Sequence, residues 1–149
     1  DQPGGHNHSM DGEYRVLSHT ADTGIEATAD CFEAVVAATA VGMFDLMYDI
    51  AAVAPSSEIV ATVSLIDELG EVIVDALSEL LYLAEAGDLL FTEVSVARSG
   101  DAELRLVAAA APTAGVELRG PPVKAVTYHD VAVAEVEPGR WTARVYFDT

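Results

Sequence analysis

Two aspartates far apart in the chain, Asp22 and Asp148, are the residues whose surroundings best suit chemistry. Asp22 sits in the small, polar run His19-Thr20-Ala21-Asp22-Thr23-Gly24, and Asp148 follows the last residue of an apolar alternation. Carboxylates beside turn-forming backbone carbonyls are the oxygen donors that hard cations such as calcium or magnesium take. Each aspartate taken alone is more often a solvated or turn-capping residue than a ligand. His19 and His129 add two imidazoles, so a hydrolase could be assembled from His19, His129, Asp22 and Asp148. Nothing local to those residues specifies a nucleophile. The chain contains no P-loop, no G-x-G-x-x-G, no G-x-S-x-G and no H-E-x-x-H. Its single cysteine, Cys31, excludes an internal disulfide and a cysteine-based zinc site, and its apolar neighbours point to an inert thiol.

The charge balance narrows the partners. Twenty-five acidic residues face seven basic ones, for a net charge of -18 at pH 7 and a sequence pI near 4.2. Such a surface repels nucleic acid, because binding phosphates requires Lys and Arg to displace condensed counterions. Any role in an RNA pathway should therefore run through a protein partner, without direct nucleic-acid binding. Six of the seven basic residues are Arg, and the only lysine is Lys124. Glu68, Glu71, Asp75 and Glu79 recur at spacings of three and four, which puts them on one helix face with no Lys or Arg in that helix to offset them. That face is either solvated or a docking surface for a basic partner.

The elements that must position these residues can be read from periodicity. Residues 1–12 are polar and rich in Gly and Pro and read as a flexible tail carrying His6 and His8, a poor metal site; residues 13–149 read as one domain. Residues 14–18 and 25–29 read as strands on either side of the His19–Gly24 run. Asp30 and Glu33 stand at capping-box spacing and open a helix to about Tyr48, with Phe32, Val35, Val36, Met43, Phe44 and Met47 as its apolar stripe. Alternation predicts a strand over 59–65, and a second amphipathic helix follows over 68–86. Residues 89–97 and 103–111 read as a hairpin turning at Ser99-Gly100-Asp101, and 123–137 and 140–147 as another closed by Pro138-Gly139. Trp141, Val145 and Phe147 are expected in the core. The pattern predicts one α+β domain of about six to seven mostly antiparallel strands with two amphipathic helices. The apolar runs are too short to span a bilayer and no signal-like segment is visible, so no membrane association and a cytoplasmic location are expected.

Five ordered blocks resemble the archease family. They are the segment Tyr14 through Ile25 with its His-Thr-Ala-Asp core, the helix from Phe32 to Met47, the segment Ala76 to Leu83, the stretch Lys124-Ala125-Val126-Thr127-Tyr128-His129, and the terminal Trp141 to Asp148. The resemblance implies an α+β fold with a metal site joining Asp22 and Asp148, Thr149 lending a main-chain oxygen. It implies a cytoplasmic accessory protein in tRNA splicing, not an enzyme. Its partner would be an RtcB-type GTP-dependent RNA ligase, whose guanylylation and multiple turnover it promotes. Lys124 is then the basic residue acting on the partner, and His19 and His129 are further motif members. A metal-dependent phosphohydrolase and an acidic chaperone-like module are the alternatives from other classes. The chain departs from the family pattern at Thr149, where an aliphatic residue is common, in the loop before Lys124, which lacks a clear Gly-Glu pair, and at Gly70 and Ala76, where bulkier residues are expected.

Overall fold

The computed structural model describes residues 8–9, 12–18 and 23–149. His19, Asp22 and most of the predicted tail lie outside the described residues. Among them, β1 (His8–Ser9) is a two-residue strand within the stretch read as tail, and it pairs with β2 (Gly12–Ser18). In chain order there follow β3 (Thr23–Ala29), α1 (Phe32–Met47), a 3-10 turn (Ile50–Ala52), β4 (Ser57–Ser64), α2 (Leu69–Gly87), β5 (Leu89–Ser99), β6 (Glu103–Pro112), β7 (Ala125–Glu137) and β8 (Arg140–Asp148). The strands divide between two sheets, ordered β1-β2-β3-β8-β7 and β4-β6-β5. Every pairing is antiparallel.

The helices lie between the sheets. α1 packs on β2, β3 and β8 of the larger sheet and on β5 of the smaller, and α2 packs on β7, β4 and β5. This explains a departure from the expected stripe on α1. Ala37, Ala38, Thr39, Ala40 and Val41 are all buried along with the larger residues, so the helix has apolar neighbours on every side. The Thr39 hydroxyl is buried at no cost in unmet hydrogen bonding, since it donates to the Val35 carbonyl 2.7 Å away. α2 keeps one wet face: Val72, Ile73, Leu77, Leu80 and Leu81 are inside while Glu68, Glu71, Tyr82 and Glu85 are exposed. Each large side chain buried in this way contributes about 1.5–3 kcal/mol relative to exposure.

α1 starts one residue later than the capping-box spacing implies. Cys31, not Asp30, is the N-cap, and its Sγ accepts the Ala34 N–H at 3.4 Å. Glu33 turns away to accept from Arg98 at 2.5 Å. The later start sets the buried Phe32 ring 6.0 Å from Trp141. Burial raises the Cys31 thiol pKa, as an inert thiol requires.

Along β8, Val145 and Phe147 are buried as the alternation predicts, whereas Trp141 is half-buried and packs on the core edge. Tyr146, on the opposite face, is also buried. It lies across Gly24, its partner on β3, where a Cβ would stand 2.6 Å from its ring. The Pro138-Gly139 turn has Gly139 at φ 75°, the value that the third residue of a type II turn needs.

Candidate functional site

The site is built at one end of the larger sheet, where β8 runs between β3 and β7. Period-2 burial fixes the register, because a one-residue slip would turn Val145 and Phe147 out of the core. In that register Phe147 pairs with Thr23 on one side and Val126 on the other, and Asp148 pairs with Ala125. The Lys124 N–H donates to the Asp148 main-chain oxygen at 2.7 Å. Lys124 and Asp148, distant in sequence, are thus neighbours across two strands. Both are exposed, as is Thr149. Asp22 and His19 precede Thr23 in the chain and lie outside the described residues.

The approach to Lys124 is strapped down by contacts that sequence patterns did not announce. Val123 is buried, and its N–H points to Met47 Sδ at 3.3 Å, so the next residue emerges at the surface. Earlier in the same connection, the Arg119 N–H donates to the Met47 carbonyl at 2.6 Å. The Arg119 guanidinium reaches Asp45 at 3.0 Å, and Asp45 also accepts the Tyr14 hydroxyl at 2.8 Å. Asp45 is a carboxylate only 8% exposed, in the last turns of α1. Its cost of burial is offset by the cation and the phenol that converge on it. The one sequence-level signal was an aspartate inside the otherwise apolar Met43 to Met47 run.

The side chains at the sheet end carry little internal pairing. Among the described residues, Lys124 makes no ion pair, nor do Arg105 and Arg144, while Arg15, Arg98, Arg119 and Arg140 are each held by a carboxylate. The Asp148 carboxylate likewise has no described partner. No group of three or more His, Cys, Asp or Glu that could hold a metal is found among the described residues.

His129 is carried away from this corner. The β7–β8 register shifts between Thr127 and Ala132, and the extra residues form a bulge with Asp130 at φ 56°. His129 is exposed there, its Nε2 3.2 Å from the Asp130 carboxylate. The bulge leans on α2: the Tyr128 hydroxyl donates to Asp75 at 2.7 Å. That hydrogen bond, followed by burial and the charges of Asp75, Glu71 and Asp67, raises the Tyr128 pKa. The acidic face of α2 is therefore split. Asp75 is engaged by β7, and Glu68 and Glu71 stay open.

The model of the Archease protein family (MTH1598/TM1083) matches residues 14–149. The protein archease of Thermococcus gammatolerans is 33% identical over 130 residues, covering 85% of this chain and 91% of that protein. That of Pyrococcus furiosus is 32% identical over 141 residues, covering 91% and 98%. The solution structure of Methanobacterium thermoautotrophicum protein 1598 matches with a TM-score of 0.75 at 28% identity, over 91% of this chain and 98% of that one. The crystal structure of an archease, possible chaperone, from Thermotoga maritima shares the fold at a TM-score of 0.58 and 19% identity, over 91% and 96%. No helix among the described residues is long and apolar enough to cross a membrane.

Proposed function

The chain belongs to the archease family, and from that premise we propose that it is a non-catalytic activator of an RtcB-type, GTP-dependent RNA ligase in tRNA splicing. In this reading Asp22, Asp148 and Thr149 hold a divalent cation, calcium or magnesium, and Lys124 acts on the ligase beside them. The observation that carries the reading is the 2.7 Å hydrogen bond from the Lys124 N–H to the Asp148 main-chain oxygen, which brings two separate motif blocks to one exposed corner. Of the third block, Thr23 pairs with Phe147 on β8, and Asp22 is the residue before it in the sequence.

The donor set suits a hard cation. Because the Asp148 main-chain oxygen is already engaged by Lys124, the Asp148 carboxylate and the Thr149 oxygen are the donors on offer from β8. A cation bound there supplies a fixed positive charge against phosphate oxygens. Lys124, without an ion pair among the described residues, adds a compact, rotatable charge next to it. The net charge of -18 supports a protein partner over direct RNA binding.

The test combines the protein with its cognate ligase, GTP and a divalent metal. Ligase guanylylation should accelerate at substoichiometric amounts, with no label on this protein. Asp22→Ala and Asp148→Ala should abolish the effect and Lys124→Ala should abolish it without lowering thermal stability. Calcium or magnesium at a hundredfold excess over its dissociation constant should stabilise the parent by about 2.7 kcal/mol. Equal guanylylation with and without this protein, or full activation by all three variants, would refute the reading.

A further inference from the structure

β7 is an edge of the larger sheet, paired only with β8. An edge strand of this length offers a row of unpaired main-chain groups. Proteins guard such edges with lysine, proline or bulges; β7 contains no Lys or Pro between Ala125 and Glu137, and past its bulge the stretch from Ala132 to Glu135 is in regular register with β8. Beside it runs an open trough of about 670 Å³. Its far wall is the first turn of α2, with Glu68, Leu69, Gly70 and Glu71, and its near wall includes Val131 and Val133 of β7. Gly70 keeps the wall low: a Cβ there would come within 3.4 Å of Val131.

The rim is acidic, and at the first turn of α2 its charge has no ion-pair partner among the described residues. Glu68 is the N-cap of α2 yet makes no capping hydrogen bond with its side chain. Neither Glu68 nor Glu71 is ion-paired among the described residues. Glu135 and Glu137 extend the same sign along β7, and the nearby cations are already used, Arg140 by Glu137 at 3.0 Å and Arg144 by the Asp130 carbonyl at 3.3 Å.

We infer that this trough is a docking surface for a basic, extended segment of a protein partner, which adds as a strand to the edge of β7 while its Lys or Arg side chains meet Glu68 and Glu71. Main-chain pairing supplies such a contact with affinity, and the side-chain pockets and charges supply its selectivity. A second copy of this chain is the wrong occupant. It carries the same net charge of -18 and has no Lys or Arg in β7 to meet Glu68 and Glu71. The inference does not depend on the ligase reading, since it concerns a different face and a different readout.

A heptapeptide alternating lysine and valine is the probe, titrated into the full chain and followed by amide chemical shifts. Shifts should concentrate on Ala132 to Glu137 and on the first turn of α2. Glu68→Gln with Glu71→Gln should weaken binding about three- to tenfold, the scale of two partly screened ion pairs. Glu58→Gln with Glu117→Gln, which removes the same charge elsewhere, should leave it unchanged. The same peptide with proline at alternate positions should not bind. The inference is overturned if both double variants weaken binding equally, if the proline peptide binds as well, or if shifts at β7 arise from self-association of this chain at rising concentration.

Discussion

Replacing Asp45 with Ala tests whether the strap before Lys124 depends on one buried carboxylate. Asp45 is 8% exposed and receives the Tyr14 hydroxyl at 2.8 Å and the Arg119 guanidinium at 3.0 Å. A hydrogen bond to a charged group is worth about 1.5–3 kcal/mol. The Arg119 pair adds less than about 1 kcal/mol, because the Arg119 side chain is 44% exposed and solvent screens it. Loss of both predicts a destabilisation of about 2–3 kcal/mol. At about 2–4 °C per kcal/mol for a chain of this size, the melting temperature should fall by about 4–12 °C. Asp45→Asn, which keeps the volume and an acceptor for Tyr14, should cost about half as much. Combined with Tyr14→Phe, Asp45→Ala should be non-additive by about 1–2 kcal/mol, because both changes delete the same contact. Calorimetry on the four proteins of that cycle measures both quantities. Strict additivity, or an Asp45→Ala protein melting within about 1 °C of the parent, would show that the network contributes nothing beyond its geometry.

Three further outcomes follow from local geometry. Gly24→Ala should destabilise by about 1–3 kcal/mol, because its Cβ would sit 2.6 Å from the Tyr146 ring and 2.9 Å from the Val145 carbonyl; Gly70→Ala, with only Val131 at 3.4 Å, should stabilise by about 0.4–1 kcal/mol, and paired denaturant melts separate the two. For Glu33, burial opposes the charge, but its own backbone N–H and Arg98 outweigh it, so the pKa lies below 4.5. A depressed carboxyl contributes stability above its unfolded pKa and loses it as pH falls through the folded one, so acid unfolding below about pH 4.5 should be steeper in the parent than in Arg98→Ala. The Tyr128 phenol is held above 10.0, first by its hydrogen bond to Asp75; its contribution is complete below the unfolded value and fades as pH rises through the folded one, so ultraviolet titration should show its midpoint move down toward 10.0 in Asp75→Asn.

What the sequence displayed and what it hid divide along physical lines. β3, β5, β6 and β8 were legible because each buries one face and alternates with period 2. The β5–β6 hairpin was legible because a glycine at φ 72° marks its turn. The separation into two sheets was not, because β4 finds its partner in β6 across the whole of α2, and no local signal encodes that pairing. The all-round burial of α1 was half visible, as a run of small residues from Ala37 to Val41 interrupted only by Thr39, but a stripe and a sandwiched helix differ only in what the other layer supplies. The bulge in β7 was invisible. Tyr128 and His129 fit a strand as well as a loop, and only the tertiary contact with Asp75 draws them out of register. At the site, motif blocks named Asp148 and Lys124, but their adjacency is a fact of sheet register, and the Asp45–Arg119 strap is a fact of packing.

The isolation of Lys124 gains meaning from what the arginines do. Four of the six arginines are ion-paired among the described residues: Arg15 binds Glu26, Arg98 binds Glu33, Arg119 binds Asp45 and Arg140 binds Glu137, while Arg144 donates to the Asp130 carbonyl. A planar guanidinium presents several donors in a fixed fork and suits such cross-links, whereas an ammonium on four methylenes is a hydrated point charge that holds partners less rigidly. In a chain with 25 acidic residues, a lone ammonium left unpaired at the surface is the group most easily captured by a neighbouring carboxylate. Locally the fold fixes the main chain, by inserting Val123 into the core and by engaging the Lys124 N–H with the Asp148 main-chain oxygen. The backbone is therefore fixed, and among the described residues the amine makes no ion pair. Lys124→Arg keeps the charge but introduces a fork that the many exposed carboxylates can grip, so in the guanylylation assay it should fall between the parent and Lys124→Ala. Parity of Lys124→Arg with the parent would show that charge alone, and not the freedom of a compact ammonium, is what this position supplies.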